Sequence, residues 1–335
     1  MKSRITLLYF LCISLCAAPP VIPSPQESMF LETKNVVLPE FPDAFNPSIL
    51  AVPEGFLVSF RYPPDPEYPY QSCIGLVLLN EDLESTSPPY LLKIREQNAQ
   101  IPPQAEDARL FHYRGAIWIM YNDNPDEEVR HYSDRRDMFL AELIFEEGKY
   151  VMQQPLRLIA EDYYERQICQ KNWAPFVWED VLFISYTLDP HEVLYVAKNG
   201  VCRRYVESHR EIPWEFGHIR GSSSPKLIDG EYVGLFHAGQ FCQNPSLEAE
   251  ERLHYVFGIY TTDPSPPFAI TTLSEEPLVS SDFYTKSDYY KRVIFPGGFV
   301  LKNGILYVAY GKNDAEIWIG KLDWEKVRSS LIPTQ

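Results

Sequence analysis

The sequence predicts an all-β fold, and within that class a five-bladed β-propeller. Three observations lead there. A pattern of two short apolar runs around a turn occurs five times. The copies are spaced by roughly 50 to 75 residues, the size of one multistranded unit. Twenty-nine prolines and 16 glycines are spread along the chain, which suits many turns and few helices.

The clearest copy is residues 105–121, AEDARLFHYRGAIWIMY. Adjacent carboxylates and a cation lead into a strand, a turn at Arg114-Gly115 and a second, aromatic strand. Residues 116–121 are apolar, β-branched or aromatic, which argues strand over helix. The pattern returns at 46–61 (NPSILAVPEGFLVSFR), 171–186 (KNWAPFVWEDVLFISY), 222–237 (SSSPKLIDGEYVGLFH) and 295–310 (FPGGFVLKNGILYVAY). Units of about four strands each, repeated radially, make propeller blades around a central channel. Every opening then lies at one end of that channel. Asn46, Asp107, Lys171, Arg220 and His237, distant in sequence, are expected to converge there.

The remaining elements follow in order. Residues 1–18 carry Lys2 and Arg4, an apolar run over 5–16 and a small-residue end at Ala17-Ala18, the pattern of a secretory signal cleaved near Ala18. The run is short for a membrane span. The expectation is therefore an exported protein, secreted or periplasmic, touching a membrane only if this segment is retained or lipidated at Cys16. Residues 19–30 form a Pro-rich linker, and the propeller occupies 31–335. A short outer strand is expected within 28–39. Residues 62–70 (YPPDPEYPY) are too Pro-rich for a central strand. Outer strands are read at 75–79, 90–94, 138–145, 150–156, 193–196, 201–206, 255–261, 268–273 and 317–322. Asp323 is placed to cap a closing helix over 324–331.

Composition narrows the function classes. A net charge of −16 opposes nucleic-acid binding, which needs a basic face. There is no P-loop, dinucleotide fingerprint, HExxH or GxSxG. Export leaves Cys73, Cys169, Cys202 and Cys242, whose three possible pairings sequence does not choose between. Cys169 and Cys202 flank the third repeat and could staple it; free buried thiols are the alternative. Without a CxxC, zinc is not suggested.

The converging residues have their own chemistry. Asp107 beside Glu106 suits a general acid, because a like-charged neighbour and burial favour the protonated form. Lys171, Arg220 and His237 suit an anion such as phosphate. An acid facing an anion site fits cleavage of a glycosidic bond with phosphate as nucleophile. Salt bridges closing the channel mouth are the structural alternative.

Several stretches resemble one family. EDAR at Glu106, Asp107, Ala108 and Arg109 resembles the EDPR-type motif of glycoside hydrolase family 130. FNPSI at 45–49, KNWAPF at 171–176, HIRGSSSP at 218–225, His237 with Gly239, FPGG at 295–298 and YGKND at 310–314 resemble further motifs of that family, in the same order. The resemblance implies a five-bladed propeller acting on β-mannosides. It implies that Asp107 is the sole proton donor, acting through a mannosyl hydroxyl while phosphate inverts the anomeric carbon. Asn46, Arg61, Glu106 and Asp314 would bind the substrate. Lys171, Arg220, His237 and Tyr255 would bind phosphate. No cofactor is implied beyond inorganic phosphate as co-substrate. Ala108 and Phe45 depart from the family pattern, and the loop 240–251 is longer than expected. Related enzymes of glycosyltransferase family 108 transfer mannose from a sugar nucleotide on the same fold.

Two rivals remain at this point. A β-mannosidase needs a second carboxylate for water, with Glu211, Glu215 and Asp314 as candidates. A glycan-binding propeller needs no turnover at all.

Overall fold

The computed structural model describes residues 18–65, 67, 71–95, 102–125, 135–164, 169–244, 252–284 and 292–335. The secretory signal expected over 1–18 lies, but for Ala18, outside the described residues. Within them the chain is nearly all β. No helix there is long and apolar enough to cross a membrane.

The chain starts with β1 (Phe30–Asn35). An antiparallel meander follows, made of β2 (Phe45–Val52), β3 (Gly55–Tyr62), β4 (Cys73–Leu79) and β5 (Tyr90–Leu91). A second consists of β6 (Glu106–Tyr113), β7 (Ala116–Asp123), β8 (Asp137–Glu146) and β9 (Lys149–Met152). A connecting strand, β10 (Leu156–Ala160), leads to β11 (Ala174–Trp178), β12 (Val181–Leu188), β13 (His191–Val196) and β14 (Val201–Ser208). Next come β15 (Arg220–Gly221) and β16 (Lys226–Ile228), both paired with β17 (Glu231–Cys242), then β18 (Arg252–Thr262) and β19 (Ile270–Ser274). The last meander is β20 (Arg292–Lys302), β21 (Ile305–Lys312) and β22 (Glu316–Asp323), followed by α1 (Trp324–Ser329) and β23 (Leu331–Pro333).

Each expected hairpin is present, and its turn chemistry explains it. Arg114-Gly115, Glu179-Asp180, Asp229-Gly230 and Asn303-Gly304 all have positive φ at both positions. That twist matches the twist of the flanking strands, and Gly, Asn and Asp reach it at least cost. Each meander then buries both faces against its neighbours. Leu50, Leu57 and Leu76 of the first share a core with Leu110, Ile119 and Leu143 of the second. Met120 and Leu140 meet Leu182, Ile184 and Leu194. Leu235, Val256 and Ile259 meet Ile294, Phe299 and Val308. The series returns on itself, because Ile49, Val58 and Phe60 pack with Val300, Ala309 and Ile319.

Three features depart from expectation. The outer strand expected within 28–39 is β1, but it does not precede the first meander as a neighbour. It pairs with β22, matching Thr33 to Gly320 and Asn35 to Trp318. The strand read over 150–156 is two elements. β9 ends the second meander, and β10 pairs antiparallel with β8 and parallel with β14. The closing helix stops at Ser329. Asp323 caps it as expected, accepting from the Lys326 amide, and β23 then pairs with β19.

The segment 19–30 is extended and docked. Ile22 is buried in the core, and its amide donates to the Gln243 carbonyl at 2.9 Å. Cys73 and Cys202 are free thiols, so the Cys169–Cys202 staple does not form. Cys202 instead sits in the apolar core, where burial pushes its thiol well up, to about 12. The loop expected from Gln240 begins later, since β17 continues to Cys242 opposite Arg252.

Candidate functional site

At the end opposite the hairpin turns, the openings of the repeats are irregular. Asn46, Asp107, Asn172, Asn313 and Asp314 all hold positive φ, between 46° and 64°. Register shifts interrupt the pairing at Phe45/Ser48, Glu106/Arg109 and Pro296/Gly298. Such bulges redirect side chains, and left-handed non-glycine residues cost about 1–3 kcal/mol each unless neighbours fix them. Asn and Asp tolerate the conformation best.

Asn46 and Asp107 are brought together by this device. Asn46 Nδ2 donates to Asp107 Oδ1 at 2.9 Å. Arg61 Nη1 stands 3.9 Å from the same oxygen. Arg61 also donates to Glu106 Oε1 at 2.8 Å and to Ser72 Oγ at 2.8 Å, with its guanidinium 5.0 Å above the Phe45 ring. Glu106 has a second cation, Arg136, at 3.8 Å. The two adjacent carboxylates thus have different surroundings. Glu106 is buried between arginines, whereas Asp107 has one oxygen steadied by an amide. Phe45, which stands where the family pattern has a cation, acts as the platform for Arg61.

Gly311 allows the arrangement. A Cβ there would lie 2.2 Å from Asn46 Oδ1 and 2.7 Å from the Asn46 amide nitrogen. In the sequence this glycine stands within YGKND, where nothing but its place directly after Tyr310 marks a steric role.

The expected anion residues gather around β15 and β17. Arg220 and His237 are direct cross-strand partners. Lys171, Arg220 and Tyr255 line a polar cavity of about 530 Å³ with Asn172, Tyr186 and His218. His237 is buried, with Nδ1 2.7 Å from Ser222 Oγ and its ring 4.9 Å from Phe295. Burial first, and then the charges of Arg220, Arg109 and Lys171, hold its imidazole well below the ordinary pKa. It is therefore neutral near pH 7, a hydrogen-bonding group rather than a fourth cation. Among the described residues neither Lys171 nor Arg220 has a carboxylate partner.

Arg109 links the two halves. In the sequence it stands out only as the last residue of EDAR. In the structure its Nη1 donates to the Asp107 backbone carbonyl at 2.8 Å, and its Nε to the Ser222 carbonyl at 2.6 Å. It is 1% exposed. The signal was an arginine in a strand whose following residues, Leu110 and Phe111, belong to the core.

The carboxylates weighed for activating water are scattered. The Glu211 amide donates to the Gln335 carbonyl at 2.8 Å, which ties it beside β23 at the sheet edge. Glu215 is exposed between Trp214 and Phe216. Asp314 is exposed in the left-handed pair that follows β21. The tryptophans serve packing. Trp173 is fully buried, and Trp214 packs edge-on against Phe236 at 4.8 Å. Trp318 stacks on Tyr310 at 6.4 Å.

No family model and no curated relative matches the chain. Solved structures do. A glycosyl hydrolase from Bacteroides ovatus superposes with TM-score 0.63 at 14% identity, covering 94% of this chain and 97% of that one. A β-1,2-mannobiose phosphorylase from Listeria innocua, in complex with β-1,2-mannobiose, gives 0.60 at 14%, covering 89% and 92%. A GDP-Man-dependent mannosyltransferase from Leishmania mexicana gives 0.61 at 12%, covering 88% and 90%. At these identities the likeness is one of fold, and it runs nearly the whole length of both partners. The resemblance to mannoside phosphorylases read from the motifs is thus also a resemblance in three dimensions.

Proposed function

We propose that this chain is a carbohydrate-active enzyme that moves a β-linked mannosyl unit onto, or from, a phosphoryl oxygen. Asp107 is its single proton donor and a five-bladed propeller is its frame. One observation carries the reading. A carboxylate held in a left-handed bulge is linked, through Arg109 bonded to the Asp107 and Ser222 carbonyls, to a region that presents a neutral His237 with Lys171 and Arg220, which have no carboxylate partner among the described residues.

In the phosphorolytic direction, a phosphate oxygen attacks the anomeric carbon while the glycosidic C–O bond breaks. The proton of Asp107 reaches the departing oxygen through a sugar hydroxyl. The products are mannose 1-phosphate of inverted configuration and a shortened glycan. Pre-placed cations suit an anionic nucleophile, which needs no base to activate it. Asn46, Arg61, Glu106 and Asp314 orient the mannosyl hydroxyls. Lys171, Arg220, His237 and Tyr255 hold the phosphoryl group. The names of the Listeria and Leishmania proteins, together with the EDAR and KNW motifs, support mannose as the sugar.

The test incubates purified protein with β-1,2- and β-1,4-mannosides, with and without inorganic phosphate. Mannose 1-phosphate that disappears in Asp107→Asn supports the proposal. Free mannose formed regardless of phosphate would replace it with hydrolysis. Glycan binding without turnover under any condition would leave a lectin-like module.

A further inference from the structure

The donors of Arg109 are unevenly used. Nε and Nη1 are spent on two backbone carbonyls, those of Ser222 and Asp107. Nη2 is buried and has no hydrogen-bond partner. Among the described residues no carboxylate pairs with this guanidinium either; Asp107, the charge that acts on it, offers its backbone oxygen rather than its side chain. A buried cation with an idle donor is costly, since water is excluded and nothing replaces it. In native structures such a group calls for an explanation, and a bound ion is one of them.

The neighbours say what kind of ligand. Arg109 acts on His237 together with Arg220 and Lys171, so the four groups share one region. Three are cations without a carboxylate partner among the described residues, and the fourth is a neutral imidazole held through Ser222 Oγ. The Ser222 residue thus binds Arg109 through its carbonyl and His237 through its hydroxyl. A multiply charged oxyanion suits this set, because it offers several acceptors to several converging donors.

We infer that Arg109 is a further ligand of the anion, taking a phosphoryl oxygen on Nη2 while the same guanidinium fixes the backbone of Asp107. This deepens the proposed function and rests on its anion site. The arrangement ties the proton donor to the nucleophile's seat through one rigid planar group. A lysine keeps the charge but not the fork, so it cannot make both contacts at once.

The experiment measures binding of inorganic phosphate, and separately of GDP, to wild-type protein and to Arg109→Lys by titration calorimetry. It reports phosphoryl recognition without any need for turnover. Wild type is expected to bind at least one of the two probes. Arg109→Lys should bind it roughly ten- to a hundred-fold more weakly, as loss of a charge-assisted hydrogen bond predicts. The preferred probe separates inorganic phosphate from a nucleotide diphosphate as the source of the phosphoryl group. Unchanged affinity in a folded Arg109→Lys overturns the role of Arg109 and leaves the anion site standing. Failure of wild type to bind either probe overturns both. Should the variant not fold, crystals of wild type grown with phosphate decide the matter. A phosphate oxygen within hydrogen-bonding reach of Nη2 upholds the inference, and an anion held by Lys171 and Arg220 alone refutes it.

Discussion

The two ends of the inner hairpins are built from the same strands by opposite rules. At the turn end, Arg114-Gly115, Asp229-Gly230 and Asn303-Gly304 make tight regular reversals. The depression among them, about 390 Å³, is lined mostly by apolar side chains such as Leu50, Phe111, Phe176 and Leu301. At the opening end the pairing is interrupted, five non-glycine residues take the left-handed conformation, and charges are buried or left without partners. One end is optimised for folding. The other tolerates strain and unbalanced charge, as sites that act on ligands commonly do.

That contrast can be broken by substitution. The largest effect is expected for Asp107→Asn. Turnover should fall by about 10²–10⁴-fold with little change in melting temperature, measured by product release and thermal unfolding on the same preparation. A comparable loss of stability would mean that Asp107 belongs to the frame instead.

Next in size is a paired glycine test. Gly311→Ala drives a methyl group into Asn46, so it should displace the partner of Asp107 and cost activity well beyond its cost in stability. Gly304→Ala, at the turn end, meets open space and has only its φ of 75° to strain. It should cost roughly 1 kcal/mol and leave turnover intact. Equal activities in the two variants would erase the distinction between the ends.

A smaller effect concerns pH. His191 lies away from the site, buried between Ser185 and the Phe268 carbonyl, and burial pulls its pKa from 6.5 to about 4. The unfolded chain takes up a proton near pH 6.5 that the folded chain refuses until about pH 4. Stability should therefore be whole above pH 6.5 and decline as pH falls through that window, by at most about 3 kcal/mol. His191→Gln should flatten that part of the denaturation profile. His237, depressed in the same direction, adds to the slope, and a bound anion should reduce its share by favouring the imidazolium.

The smallest expected change is in Lys171→Met. Its amine is exposed and makes no ion pair among the described residues, so stability should shift by no more than about 0.5 kcal/mol. The phosphate dependence of turnover should nevertheless weaken severalfold. A large change in unfolding would mark Lys171 as structural.

Much of this was legible in the chain because hairpins are local. Turn residues such as Asp229-Gly230 and the alternation around them announce themselves within a dozen positions. The openings were legible too, since Asn46, Asp107 and Lys171 recur at matching points of the repeat. What escaped was non-local. Nothing near Phe30 says that its strand pairs with one about 290 residues later. Nothing near Leu156 says that it joins two meanders. The free thiol at Cys202 shows that flanking a repeat does not by itself bond it to Cys169. Arg109 was seen but misassigned, because side-chain identity does not reveal which carbonyls a guanidinium will reach.

The pairing of β1 with β22 sets a timetable as well as a shape. A growing chain can complete its early hairpins as they leave the ribosome, but the latch for residues 30–35 is made only about 290 residues later. Until it emerges the ring has no seam, and Asn46 lacks the Gly311 surface that seats it. A polypeptide cut off before β21 would thus carry Asn46 and Asp107 with neither the strand that latches residues 30–35 nor the glycine beside Asn46, so the seating of that pair belongs to the closed ring and not to the early hairpins.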